Sequence, residues 1–212
     1  MLLVFSVARL VATLGVSAGV VYEAVLNLCR GVWESPYATR IRVDEVVVVR
    51  TSAPQVEFAF KLLKLLFACS EMLPPEKRLP EQCKAIRIVD VPVPIQDIVD
   101  KNSYLQYYNV VRRQIAPESI VDISGGRAAM GIAAARAAIA TPYTILVTTI
   151  IPPEQYQATT TAQNKLRQYL IDQILEQLEK QTCTEIAKKY PNPIKLLAQL
   201  VTGKAKTVQL AP

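Results

Sequence analysis

The sequence predicts an α/β fold: a doubly wound, mainly parallel Rossmann-like sheet with a small C-terminal helical extension. Three observations predict it. Short β-branched apolar runs alternate five times with segments of helical spacing. One run, residues 45–50, holds four consecutive valines, as a strand buried on both faces does. Glycines stand where strands give way to helices, at Gly15 and Gly19 and again at Gly125 and Gly126. A chain of 212 residues can bury a sizeable core without staples.

Taken in order, residues 9–14 read as the first strand and 19–28 as the helix after it. Residues 45–50 form the second strand. Pro54 suits a first helical turn, and 56–69 has helical spacing. Residues 71–82 are polar, contain three prolines and read as a loop. A third strand is expected at 85–91, then a helix at 102–115 entered from Asp100. A fourth strand at 119–123 leads into an alanine-rich helix at 127–140, and a fifth strand covers 143–151. Such sheets bind ligands at the carboxyl ends of their strands, near the reversal of strand order.

Pro152 and Pro153 mark a boundary, dividing the chain into a Rossmann-like domain at 1–151 and a helical extension with a basic terminal arm at 152–212. There, 161–180 reads as one long amphipathic helix with Leu166, Tyr169, Leu170, Ile174, Leu175 and Leu178 as its stripe. Residues 184–190 and 194–201 read as shorter helices, and 206–210 as a final strand or extended arm. The apolar first 28 residues lack a basic n-region and are interrupted by Arg9, Gly15 and Glu23. Neither a signal peptide nor a membrane anchor is expected, so the expected location is cytoplasmic. Translation starting near Val7 would leave the fold intact.

Composition narrows the chemistry. There is no histidine, which removes Ser–His–Asp and Cys–His nucleophile systems and every imidazole ligand or base. The cysteines, Cys29, Cys69, Cys83 and Cys183, form no C-x-x-C pair, so no thiolate metal site is expected. They read as buried free thiols, with disulfides expected only in an intracellular hyperthermophile. The net charge is +6, and residues 160–212 carry eight basic against four acidic side chains. That surplus fits an anionic partner or simply a soluble helical tail.

Three strand exits carry candidate chemistry. Thr13-Leu14-Gly15-Val16-Ser17-Ala18-Gly19 places two hydroxyls in a tight turn beside a helix N-terminus, where unpaired N–H groups favour an anion. Ser17 as a plain helix cap stays equally open. Neither a Walker pattern nor G-x-G-x-x-G is present. Thr51 and Ser52 occupy the same end of the sheet, where a capping role is also common. In Asp122-Ile123-Ser124-Gly125-Gly126-Arg127-Ala128-Ala129-Met130, Arg127 opposes the helix dipole unless it meets an anion.

The first and third turns together resemble the T-L-G-x-S-x-G and D-x-[S/T]-G-G-[R/K]-x-x-M turns of the CRISPR-associated Rossmann fold sensor family, over residues 7–151. The resemblance implies a homodimer whose two-fold axis forms a pocket for a cyclic oligoadenylate, usually cyclic tetra-adenylate. Thr13, Gly15, Thr51, Ser52, Ser124, Gly125, Gly126, Arg127 and Met130 would bind it. Members with a HEPN ribonuclease domain need a histidine, and metal-dependent nuclease domains are larger than the segment after Pro153. A stand-alone ring nuclease and a transcription factor remain. Thr202-Gly203-Lys204-Ala205-Lys206-Thr207-Val208-Gln209-Leu210 is similar to the T-G-K-x-[R/K]-T-x-x-L ending of CRISPR ring nucleases. Carried over, this makes Ser17 the essential hydroxyl and Lys204 the essential cation, with Lys206 its rival, on an arm folding back over the pocket.

The expected protein is thus a metal-independent ring nuclease with no cofactor, no metal and no stable nucleic-acid partner, switching off type III CRISPR signalling. In the alternative, a transcriptional regulator binds the ring and DNA without cleavage. There 183–190 would be the first helix of a helix-turn-helix, with Pro191 and Pro193 at the turn.

Overall fold

The computed structural model describes residues 7–36 and 38–211. The question of whether residues 1–6 are native falls outside them. Five strands, β1 (Val7–Leu14), β2 (Arg42–Thr51), β3 (Arg87–Val93), β4 (Ile120–Asp122) and β5 (Ile145–Ile150), run parallel, and β6 (Lys206–Ala211) closes the edge antiparallel to β5. The spatial order is β3-β2-β1-β4-β5-β6. The valines of β2 suit its interior position, between β3 and β1. Val46 and Val48 join the core on one face, Val47 and Val49 the core on the other, and all four are fully buried. Each contributes roughly 1.5–3 kcal/mol over an exposed valine.

Helices α1 (Ala18–Arg30) and α2 (Pro54–Ala68) cover one face together with α5 (Pro153–Leu166), α6 (Ile171–Leu178), α7 (Cys183–Lys189) and α8 (Pro191–Leu200). Helices α3 (Lys101–Gln114) and α4 (Ala128–Ile139) cover the other. Asp100 caps α3 in a capping box with Ser103. Pro54 occupies the first turn of α2. Chain order reverses between β1 and β4, and their helices leave toward opposite faces, so the turns after β1 and β4 flank the switch point. Among the described residues no helix is long and apolar enough to cross a membrane.

Three expectations are corrected. The long helix at 161–180 is two helices: α5 begins earlier, at Pro153, and the chain turns after Leu166, leaving Leu170 67% exposed. The turn carries α6 across to α2, where Asp172 meets Lys61 at 2.9 Å and Ile171 and Ile174 enter the core. The loop at 71–82 contains one-turn 3-10 helices at Ser70–Met72, Pro75–Lys77 and Glu81–Cys83. The cysteines are not free thiols: Cys29 pairs with Cys83 and Cys69 with Cys183. Their Cα separations, 6.4 and 5.3 Å, fall in the disulfide range. Partners 54 and 114 residues apart meet through the fold, so sequence spacing carries no sign of them.

The tail is a strand, and the fold accounts for its motif. Leu200 ends α8 with its backbone against Gly19, where any side chain would overlap the Leu200 carbonyl. The buried Glu23 carboxylate then accepts from the N–H groups of Thr202 and Ala205. Thr202 Oγ1 accepts from the N–H groups of Lys204 and Ala205 at 3.1 Å each. Asn27 Nδ2 donates to the Ala205 carbonyl at 2.9 Å and to Thr207 Oγ1 at 3.1 Å.

Candidate active site

The turns after β1 and β4 interlock. Thr13 Oγ1 donates to the carbonyl of Gly125. A Cβ on Gly15 would lie 2.6 Å from the Cα and N of Gly126, which itself has φ +92°. Only glycines allow this approach. The turns are tied to the rest of the sheet by Ser124, whose Oγ donates to Asp122 and accepts from the N–H of Thr149. Asp122 is fully buried, and burial pushes its carboxyl up to about 7 against two hydrogen bonds from Ser124 that pull it down. Its Oδ2 has no hydrogen-bond partner among the described residues.

Three cavities open around Val16 on this edge. One of about 230 Å³ is lined by Ser17 with Tyr156, Thr159, Thr160, Gln163 and Arg167 among others. A second, about 300 Å³, joins Ser17 to Ser124, Gly125, Gly126 and Thr149. A third, about 400 Å³, contains Gly15, Thr51, Gln96, Asp97, Arg127 and Met130. Ser17 occupies the N-cap position of α1, yet its side chain makes no capping hydrogen bond. The half-buried hydroxyl therefore faces the cavities rather than its own helix. The neighbouring turn is held by Gln163 of α5, which donates to the carbonyl of Val16 and accepts from the N–H of Ala18 at 3.5 Å.

The expected residues divide. Gly15, Ser17, Thr51, Ser124, Gly125, Gly126, Arg127 and Met130 line this edge. Thr13 does not: it is buried, and its hydroxyl is engaged with Gly125. Ser52 Oγ donates to the Val93 carbonyl at 2.8 Å, a link between β2 and β3. Arg127 is the N-cap of α4, and the Asp97 carboxylate already meets it, so the anion that its position called for is within the chain. Lys204 and Lys206 line none of the three cavities. The arm does not fold back over Ser17 but runs down α1 from Glu23 to Asn27, between about 9 and 15 Å beyond Ser17 along the helix axis. Lys204 is exposed, and Lys206 pairs with Glu34 at 3.4 Å. Sequence reading missed Gln163, Tyr156 and Arg167, because only the docking of α5 brings them to the first turn.

No protein-family model matches the sequence. The Csm6 of Enterococcus italicus, solved with cyclic hexa-2'-fluoro-hexa-dAMP, superposes over 98% of this chain with 12% identity and a TM-score of 0.47, and this chain spans 42% of its length. The CRISPR system ring nuclease SSO2081 of Saccharolobus solfataricus is 33% identical over 148 residues, 70% of this chain and 74% of that protein. An identity at that level over most of both chains, joined to the paired glycine turns at the switch point, places this chain in the CRISPR ring nuclease family.

Proposed function

We propose that the protein binds cyclic tetra-adenylate across a two-fold homodimer and opens it without metal or cofactor, ending type III CRISPR signalling. The observation that carries this reading is the Ser17 hydroxyl, free of its helix and shared by two adjoining cavities at the switch point. The substrate supplies its own nucleophile. A ribose 2′-oxygen attacks the adjacent phosphorus, the bond to the 5′-oxygen of the next nucleotide breaks, and a 2′,3′-cyclic phosphate remains. The 2′-proton leaves to water, and the departing oxygen takes a proton from water. Holding the three reacting atoms in line contributes several kcal/mol, on the order of 7–11 at most.

In this reading Ser17 orients the phosphate or the 2′-hydroxyl. The N–H groups near Gly125 and Gly126 and the Arg127–Asp97 pair frame the other phosphates. A ring with matching halves requires an isologous dimer and presents two equivalent cleavage points. The tail lysines line none of the cavities of their own chain, so in this reading a lysine contribution comes from the partner subunit. Mixing S17A protein with the K204A/K206A double variant tests that. Restored opening shows the two groups to come from different chains, and a K204A/K206A protein that opens the ring at wild-type speed removes the lysines from the site.

The regulator alternative gains no support from the helices. α8, where it needs a recognition helix, buries Pro193, Ile194, Leu197 and Leu200 and carries Lys195 as its one cation. The test of the function is incubation with cyclic tetra-adenylate in EDTA followed by chromatography. Linear oligoadenylates are expected, and an intact ring after hours at saturating protein would overturn the reading.

A further inference from the structure

Among the described residues lining the two cavities that contain Ser17, Arg167 is the only cation. It stands at the C-terminal end of α5 with its guanidinium over the ring of Phe58 from α2, 4.9 Å from the centroid. Among the described residues no carboxylate pairs with it, whereas Asp97 holds Arg127 and Glu34 holds Lys206. The remaining lining of the smaller cavity is neutral: hydroxyls from Tyr156, Thr159 and Thr160, and amides from Gln163 and Asn164. A guanidinium stacked on an aromatic face is partly pre-organised, and its planar fork matches two oxygens of one phosphate. The cavity thus pairs a free hydroxyl with an uncompensated cation and contains no negative charge to repel an anion.

We propose that Arg167 is a further catalytic cation of ring opening, gripping the scissile phosphate from across the cavity shared with Ser17 of the same chain. This rests on the function proposed above. Negative charge grows on the non-bridging oxygens as the 2′-oxygen adds to phosphorus, and Arg167 balances it. A guanidinium keeps its proton throughout, so it stabilises charge and transfers nothing. Phe58 acts through Arg167 by fixing its plane and is a positioning residue.

The experiment is single-turnover opening of cyclic tetra-adenylate in EDTA by wild type, R167A, R167K and F58L, with ring affinity measured in an S17A background. R167A is expected to slow opening about 10²–10³-fold, with a much smaller change in affinity. R167K keeps the charge but not the fork and should recover part of that loss. F58L should lower the rate by about tenfold or less while leaving its pH profile unchanged. Arg167 is exposed, so melting curves of R167A should match wild type. Opening by R167A at wild-type speed would overturn this proposal alone. A wild-type protein that never opens the ring overturns the functional reading and this proposal with it.

Discussion

Thr13 Oγ1 donates to the carbonyl of Gly125, and through that bond the turn after the first strand is locked to the turn after the fourth. The two segments are 112 residues apart in sequence and form one floor beneath the cavities. T13V keeps the shape and leaves a buried carbonyl unpaired. The expected cost is about 1–2 kcal/mol, read as a Tm lower by roughly 2–8 °C. Ring opening should slow as well, because the floor positions Ser17. A T13V protein with the wild-type Tm would show the bond to be dispensable.

Ser17 separates a capping role from a chemical one. An N-cap serine contributes about 1 kcal/mol through its side-chain hydrogen bond. Ser17 makes no such bond. S17A should therefore change stability by less than about 0.5 kcal/mol while slowing ring opening by at least about 100-fold. Urea denaturation and single-turnover kinetics on the same preparation check both halves.

Asp122 gives stability a pH dependence of defined sign. Its carboxyl titrates at about 7 in the fold against an ordinary value of 3.8. The folded state thus holds the proton more tightly than the unfolded chain. Its contribution is full below about pH 4, declines as pH rises toward 7, and is level above that, with a slope of at most about 1.4 kcal/mol per pH unit. D122N mimics the protonated form and removes the decline. Measured by urea denaturation, the stability of D122N relative to wild type should increase steadily from pH 4 to pH 7.5. A difference that is constant across that range would contradict the assignment.

The Cys69–Cys183 bond ties the end of α2 to the start of α7 across 114 residues. Chain-entropy arguments give a loop of that length about 4–5 kcal/mol at most. C69S/C183S should melt well below the oxidised wild type and match a wild type treated with reductant once Cys29–Cys83 is also removed. Equal melting of oxidised and reduced wild type would show that the bonds do not stabilise the fold.

The alternation of strands and helices was legible because β-branched runs and helical spacing are local properties. The switch-point glycines were legible because their backbones must approach closely, as Gly15 and Gly126 do. The break between α5 and α6 was not, since no proline or glycine marks it. Leu166, Ile174 and Leu178 keep a helical period through the turn, and what distinguishes the turn is the docking of α6 on α2, where Ile171 and Ile174 are buried and Asp172 meets Lys61. The tail motif was visible as residues but not as geometry. Thr202, Ala205 and Thr207 serve the fold through Glu23 and Asn27, and neither partner is near them in sequence. Arg167 was hidden for a related reason, because its place opposite Ser17 depends on how α5 docks.

The central claim is that the ring's own 2′-hydroxyl performs the attack in a site built on Ser17. The most direct measurement compares all-ribose cyclic tetra-adenylate with its 2′-deoxy counterpart, both in EDTA, with product termini identified by mass spectrometry. The account predicts that the ribose ring opens to products ending in 2′,3′-cyclic phosphate while the deoxy ring is bound and stays closed. Opening of the deoxy ring, or a ribose ring that opens only after divalent metal is restored, would contradict it.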